Sequence, residues 1–239
     1  MLESEVSKIV SDGARSLGFA LPQGATKIYS AYFDFLAERG EKTNLTAITG
    51  VEDVARLHFL DSIALLNAVN FYGASLIDIG SGAGFPGLPL KIAVPSISLT
   101  LLDSAGKRAA FLAELSDALG IEAKILCSRA EEASHLAEHR EMYDIAVSRA
   151  VARLNVLCEL CLPLVRPGGM FVAMKGTDSA DEISEASSAI EILGGTLHNV
   201  YDYEIPVSGV RHRAVIIKKI SNTPKDFPRR FAKIKKSAL

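Results

Sequence analysis

Apolar residues in the first 70 positions recur three and four apart. EVSKIVSDGARSLGF, TKIYSAYFDFLAERG and VEDVARLHFLDSIALLNAV each carry this helical spacing, with no convincing strand alternation among them. Gly18, Pro22, Gly24, Gly40 and Gly50 punctuate the runs, so the pattern predicts a helical cap over residues 1–70. From residue 75 the rhythm changes. Short β-type runs, SLIDI, ISLTLLDS, EAKILC, YDIAVSR and GGMFVAMK, alternate with helical stretches such as KRAAFLAELSDALG and LNVLCELCLPLV. Strand and helix in alternation predict a parallel sheet with right-handed crossovers and helices on both faces. The last part breaks the alternation: helical EISEASSAIEILGG leads into TLHNVYDYEI and HRAVIIKKI, which only PVSGVR separates, a spacing that suits an antiparallel hairpin.

Five parallel strands closed by such a hairpin make a mostly parallel seven-stranded α/β sheet, the outline of a Rossmann-like methyltransferase. A dinucleotide dehydrogenase sheet would instead end in further parallel crossovers. The expected organisation is a helical cap (1–70), a Rossmann-like domain (71–220) and a basic tail (221–239). At 239 residues, 49% apolar and 23% charged, the chain has the size for one such domain plus an appendage. No window approaches the ~18 uninterrupted apolar residues of a membrane span. The start, MLESEVSKIVSDGARSLG, is polar and acidic and has no hydrophobic signal core, so a cytoplasmic location is expected; the expected oligomeric state is a monomer. Cys127, Cys158 and Cys161 make an odd count with no disulfide framework. Cys158 and Cys161 sit in an apolar helical run with no second pair or nearby His, so helix packing is expected and no metal site. His135, His139 and His198 are expected at the surface.

Gly82-Ala83-Gly84-Phe85-Pro86-Gly87 is a literal G-x-G-x-x-G between a strand and a helix, with Asp103 ending the next strand about 20 residues on. Read by spacing alone, this is a nicotinamide-dinucleotide fingerprint. The acid Asp78, two residues before Gly80, argues otherwise: it would repel a pyrophosphate. The ammonium and sulfonium of S-adenosyl-L-methionine would be drawn to it instead. Asp103 suits the ribose hydroxyls of either cofactor. Candidate cofactor residues are therefore Asp78, Gly80, Gly82, Gly84 and Asp103, with Ala130 and Glu131 after the third strand on the adenine side. Pro86 lacks an N–H and fits the first turn of the helix that follows. Arg149, after the fourth strand, can meet a carboxylate bidentately or hold an RNA phosphate.

The chain has no N/D-P-P-Y/F/W motif for exocyclic amines after the fourth strand, where SRAVARL stands, and no suitably placed Cys for pyrimidine carbon-5. An acceptor that needs neither is a ring nitrogen with a free lone pair, such as guanine N7. Attack by it loses no proton, so proximity and charge placement suffice. Candidates for catalytic work are Arg149, Lys175 and His58. His58 and Asp61, three apart on a helix, either face the cleft or fill the seam of the cap. The net charge is −2, so nucleic-acid contact must come from local patches. Lys175, Arg211, Arg213, Arg229 and Arg230 are the RNA-binding candidates, and the last 15 residues hold six cations against one acid. Phe227 and Phe231, interleaved with those cations, can stack or anchor the tail.

Asn44-Leu45-Thr46, His58-Phe59-Leu60-Asp61-Ser62, IDIGSGAGFPGLPLKI, LLDSAGKRAAFL, SRAEE, YDIAVSRAVARL and AMKG, in that order, closely resemble the bacterial ribosomal small-subunit RNA guanine-N7 methyltransferase family, also called glucose-inhibited division protein B. The resemblance runs from about residue 25 to FPRR, while RFAKIKKSAL lacks the G-I-P step common there. It implies methyl transfer from S-adenosyl-L-methionine to N7 of one guanine in 16S (small-subunit) rRNA near the decoding region, on naked rRNA or the assembled small subunit. It also implies cofactor contacts from Gly80, Phe85, Ala130, Glu131 and Arg149. Two other classes stand beside this one: an NAD-dependent oxidoreductase, carried by the literal glycine motif, and a non-catalytic RNA-binding module.

Overall fold

The computed structural model describes residues 4–43, 48–149 and 152–239. Helices α1 (Glu5–Ser16) and α2 (Ala25–Thr43) open the chain. Residues 51–67 then run as α3 (Val51–Val54), a π-helical turn (Ala55–Leu60), α4 (Asp61–Ala64) and a 3-10 turn (Leu65–Asn67). The periodicity predicts one regular helix here. The wide turn adds a residue to the helical circuit, a deviation often found at functional sites. The alternating region gives β1 (Ser75–Ile79), α5 (Gly87–Ala93), β2 (Ser98–Asp103), α6 (Gly106–Leu119), β3 (Ala123–Cys127), α7 (Ala130–Ala133), β4 (Tyr143–Arg149), α8 (Leu154–Cys161) and β5 (Val165–Gly176). Two short helices, α9 (Ala180–Glu185) and α10 (Ser187–Ile192), lead to β6 (Gly195–Glu204) and β7 (Arg211–Lys219), and α11 (Phe231–Lys236) comes last.

The seven strands form one sheet in the order β3-β2-β1-β4-β5-β7-β6. β1 to β5 pair in parallel, whereas β7 runs antiparallel to both β5 and β6. The winding direction reverses between β1 and β4, and in such sheets ligands sit at the carboxyl ends of the strands flanking that point.

Strand alternation divides the interior into two cores. Leu76, Leu101, Val147 and Val172 face one side, where α5, α6 and the N-terminal helices cover them. Val10, Tyr29, Tyr32 and Phe59 belong to that same core, so the cap shares its apolar interior with the sheet. Ile77, Ile79, Ala146, Phe171 and Val215 face the other side, against α8 and α10. Cys158 and Cys161 lie fully buried in this second core, as packing residues. The tail docks there too, through buried Ile234 and the partly buried Phe227 and Phe231.

Candidate active site

β1 ends in a loop whose shape depends on glycine. Gly80, Gly82 and Gly84 have φ of 74°, 57° and 101°, left-handed values that a side chain makes costly. The amides of Gly80 and Ser81 both donate to the Leu102 carbonyl, at 2.8 and 3.1 Å, and Gly82 N–H donates to Asp103 Oδ2 at 3.1 Å. The loop is thereby tied to the end of β2. α2 braces it from behind: Tyr32 Oη donates to the Ala83 carbonyl and Tyr29 Oη to the Pro89 carbonyl, both at 2.7 Å. A Cβ on Gly84 would come within 2.5 Å of Tyr32 Oη and 2.6 Å of Leu88 Cδ1, so this glycine is also required by packing.

Asp78 lies fully buried under the loop. Its Oδ2 accepts the N–H of Gly87, the first residue of α5, at 2.9 Å, and its Oδ1 has no hydrogen-bond partner. Burial raises its pKa to about 7, against the opposing pull of the Gly87 N–H and Arg149. The folded state therefore holds a proton here that the unfolded chain releases near pH 4, and stability falls as pH rises from about 4 to about 7 and is level above. Asp78→Asn removes this titration. The expected result is a variant whose stability relative to the parent improves across that interval and then stays constant; urea midpoints at pH 4, 5.5, 7 and 8.5 check it.

Two adjoining cavities open on the loop and share Gly80, Arg108 and Arg149. The larger, about 610 Å³, is walled by Gly80 to Ala83, Phe85, His58, Asp61, Met174, Lys175 and His212. The smaller, about 310 Å³, runs along Asp103, Ser128, Ala130, Glu131 and Phe231. Together they offer a backbone-lined trough and a side pocket, in the size range of small-molecule sites. Asp103 is nearly fully buried, and its two oxygens accept from Gly82 N–H and Ala105 N–H, which leaves each a further lone pair for a hydroxyl.

The larger cavity is organised around Asp61, which is fully buried at the end of the π-helical turn. Its Oδ1 accepts from Tyr203 Oη and His212 Nδ1, both at 2.8 Å, and its Oδ2 accepts from Arg149 at 3.2 Å. Arg149 also donates to the Leu57 carbonyl at 3.1 Å, and its guanidinium lies 5.0 Å from the centre of the Phe85 ring. Phe85 in turn stacks on Tyr32 at 5.3 Å and meets His58 at 4.5 Å. Burial, with Arg149 nearby, lowers the pKa of His58 to about 4, so its ring is neutral near pH 7. The Asp61 carboxylate raises the pKa of His212. The cavity thus combines a fixed cation, a neutral imidazole and an aromatic wall.

Comparison with known proteins agrees with this architecture. The family model described as "GidB: rRNA small subunit methyltransferase G" matches residues 26–211. The chain belongs to this family. A curated relative from Pelotomaculum thermopropionicum, named ribosomal RNA small subunit methyltransferase G, is 44% identical over 95% of this chain and 96% of its own length. A Bacillus subtilis protein of the same name is 42% identical over 92% of this chain and 93% of its own. Among solved structures, TrmN from Thermus thermophilus superposes with a TM-score of 0.55 at 20% identity, covering 80% of this chain and 53% of that one. A SAM-dependent methyltransferase from Methanosarcina mazei gives 0.51 at 14%, covering 65% and 96%. These two likenesses concern the fold.

Of the candidate positions read from the sequence, Gly80, Gly82, Phe85, Asp103, Ala130, Glu131, Arg149, Lys175 and His58 line one or both cavities. Asp78 and Gly84 do not. Both are spent behind the loop, Asp78 as the cap of α5 and Gly84 against Tyr32, because a fully buried carboxylate has no path to a ligand in the trough. Lys175 donates to Glu182 and to the Ala152 carbonyl, each at 2.7 Å. The RNA candidates separate. Arg230 is exposed, Arg211 is exposed and pairs with Glu204 at 3.4 Å, Arg213 is held bidentately by the exposed Asp202, and Arg229 is held by buried Glu159. His139, expected at the surface, is fully buried and bonds Tyr143 Oη at 2.8 Å. In the sequence Tyr203, Arg108 and the tyrosines of α2 carry no mark of a site, and His212 stands out only as one of the basic residues of the closing hairpin. Tyr203 and His212 stand 142 and 151 residues from the carboxylate they serve, so no local signal marks them as its partners. Asn44, Leu45, Thr46 and Ala150 lie outside the described residues.

Proposed function

We propose that this chain transfers a methyl group from S-adenosyl-L-methionine to N7 of a guanine in 16S rRNA of the small ribosomal subunit. The observation that carries the cofactor reading is the occupied start of α5. In dinucleotide-binding sheets the helix after the glycine loop offers its first N–H groups to a pyrophosphate. Here the carboxylate of Asp78 takes the Gly87 N–H from inside, which argues against an NAD-dependent oxidoreductase. The side-chain-free wall at Gly80 and Gly82, the spare lone pairs of Asp103 and the polar rim at Glu131 fit an adenosyl group bearing an amino acid. Asp103 would take the ribose hydroxyls and Ala130 and Glu131 would border the adenine. S-adenosyl-L-methionine supplies an electrophilic methyl on a sulfonium.

The chain's own groups then have to bind, orient and exclude water. Guanine N7 brings its own lone pair and loses no proton, and the neutral His58 and the fully engaged Asp61 are consistent with a site that needs no general base. Phe85 and Arg149 would hold the junction between cofactor and base. Arg211, Arg230 and the exposed lysines of α11 would meet rRNA phosphates, with the salt dependence such contacts carry. The same reading places the protein in the cytoplasm as a monomer. Among the described residues no helix is long and apolar enough to cross a membrane.

The test is incubation with methyl-labelled S-adenosyl-L-methionine and small-subunit particles from cells lacking the enzyme, followed by cleavage specific for 7-methylguanine. One labelled guanine is the expected result. Binding of rRNA without label would instead support a non-catalytic RNA-binding module. Gly80→Asp, which forces a charged side chain onto a residue at φ 74°, should weaken S-adenosylhomocysteine binding by more than about tenfold, read by calorimetry.

A further inference from the structure

Among the described residues β7 is the last strand, and residues 219–234 after it are held to the body at successive points. Lys219, fully buried, donates to the Leu162 carbonyl at 2.8 Å and pairs with Glu141 at 3.3 Å; Glu141 also accepts Thr223 N–H at 2.7 Å. Arg140 donates to the carbonyls of Thr223 and Phe227, each at 2.9 Å, and His135 Nε2 lies 2.9 Å from the Pro228 carbonyl. Arg229 then closes the series with three bonds to the buried Glu159 carboxylate, from its own N–H and Nε at 2.8 Å and from a terminal nitrogen at 2.6 Å.

This anchoring fixes the position of Phe231, two residues on and the first residue of α11. Its ring lines the smaller cavity opposite the carboxyl ends of β2 and β3, with Asp103, Ser128 and Ala130, and the Arg129 guanidinium lies 5.8 Å from its centre. Ile79, Leu102 and Leu160 supply further apolar lining, and Arg108, Glu131 and Arg149 a charged part of the wall. A pocket with apolar side chains and an aromatic ring beside polar groups suits a purine, which stacks on aromatic faces and presents polar edges.

We propose that Phe231 is a cofactor-binding residue, and that the C-terminal segment serves as the fixed outer wall of the adenine subsite. The proposal rests on the reading that an adenosyl cofactor occupies the two cavities. It gives the tail a role separate from charge: Arg229 anchors, Phe231 covers the adenine side, and the exposed lysines beyond remain for rRNA.

The experiment is calorimetric binding of S-adenosylhomocysteine and of 5′-methylthioadenosine, which keeps the adenosine and lacks the amino acid. Parent, Phe231→Ala, Phe231→Tyr and a chain ending at Arg230 are compared, with melting temperature as the control for folding. Phe231→Ala and the truncation should weaken both ligands by the same factor, about tenfold, while Phe231→Tyr stays near the parent. Binding of both ligands within about twofold of the parent in Phe231→Ala would overturn the proposal. So would loss confined to S-adenosylhomocysteine, which would place the effect at the amino-acid end. If Gly80→Asp also leaves binding intact, the cofactor reading itself fails, and the two failures are thereby told apart.

Discussion

Asp61→Ala is expected to slow methyl transfer by about a hundredfold and to destabilise the fold together. The carboxylate is fully buried and satisfies three donors, Tyr203 Oη, His212 Nδ1 and Arg149, that come from three different strands. Removing it leaves those donors facing one another around a small void. Breaking a buried charged network from one side costs about 3–5 kcal/mol. Arg149 and His212 reach solvent in the cleft, at 18% and 32% side-chain exposure, so about 3 kcal/mol is the expected loss in urea unfolding. The effect on activity should be larger in proportion. Arg149 carries the cation over Phe85, and a displacement of about 1 Å in such a group lowers rates by roughly a hundredfold. Single-turnover methyl incorporation at saturating cofactor reads this directly. Asp61→Asn, which keeps an acceptor but loses the charge, should fall between parent and alanine.

The second large effect lies on the opposite side of the sheet. Arg229→Ala keeps the backbone N–H of residue 229 on the fully buried Glu159 carboxylate but removes the two bonds from the guanidinium. The expected penalty is about 3 kcal/mol, equivalent to a melting temperature lower by roughly 6–12 °C for a chain of this size. The alternative open to the protein is to release the tail and admit water to Glu159. Limited proteolysis should therefore cut within residues 221–239 before the body unfolds. Arg229→Ala combined with Glu159→Leu should recover most of the lost stability, because an apolar side chain of similar volume needs no partner. The double variant separates the cost of a stranded charge from the loss of tail packing.

The sheet was legible because its signal is local. Each strand from SLIDI to HRAVIIKKI alternates between two cores, and the hairpin follows from the short link between its last two runs. The glycine loop was legible for the same reason: positive φ at Gly80 and Gly82 is a backbone demand that sequence states outright. Asp78 was read as a ligand contact because an acid beside a glycine loop looks the same whether it faces the trough or caps the next helix. Only packing decides, and here it turns the carboxylate inward to Gly87. Charge alone marks Arg213 and Arg229 as RNA candidates, while the acids that hold them, Asp202 and Glu159, lie 11 and 70 residues away. The π-helical turn before Asp61 has no composition of its own, and it sets the register that aims this residue at Tyr203 and His212.

The span of the Asp61 network also orders events during synthesis. Helices α1 to α4 leave the ribosome first, and the tyrosines of α2 wait for Ala83 and Pro89, 51 and 60 residues on. Asp61 waits far longer, since its last partner follows it by 151 residues. At a translation rate of roughly 5–20 residues per second, that interval is on the order of ten seconds. Once Leu102 and Asp103 have emerged, a nascent chain can have the glycine loop and its tyrosine braces in place for the rest of that interval. The acceptor side is completed only with the final hairpin, so an unfinished chain has a formed cofactor loop and no site for a base.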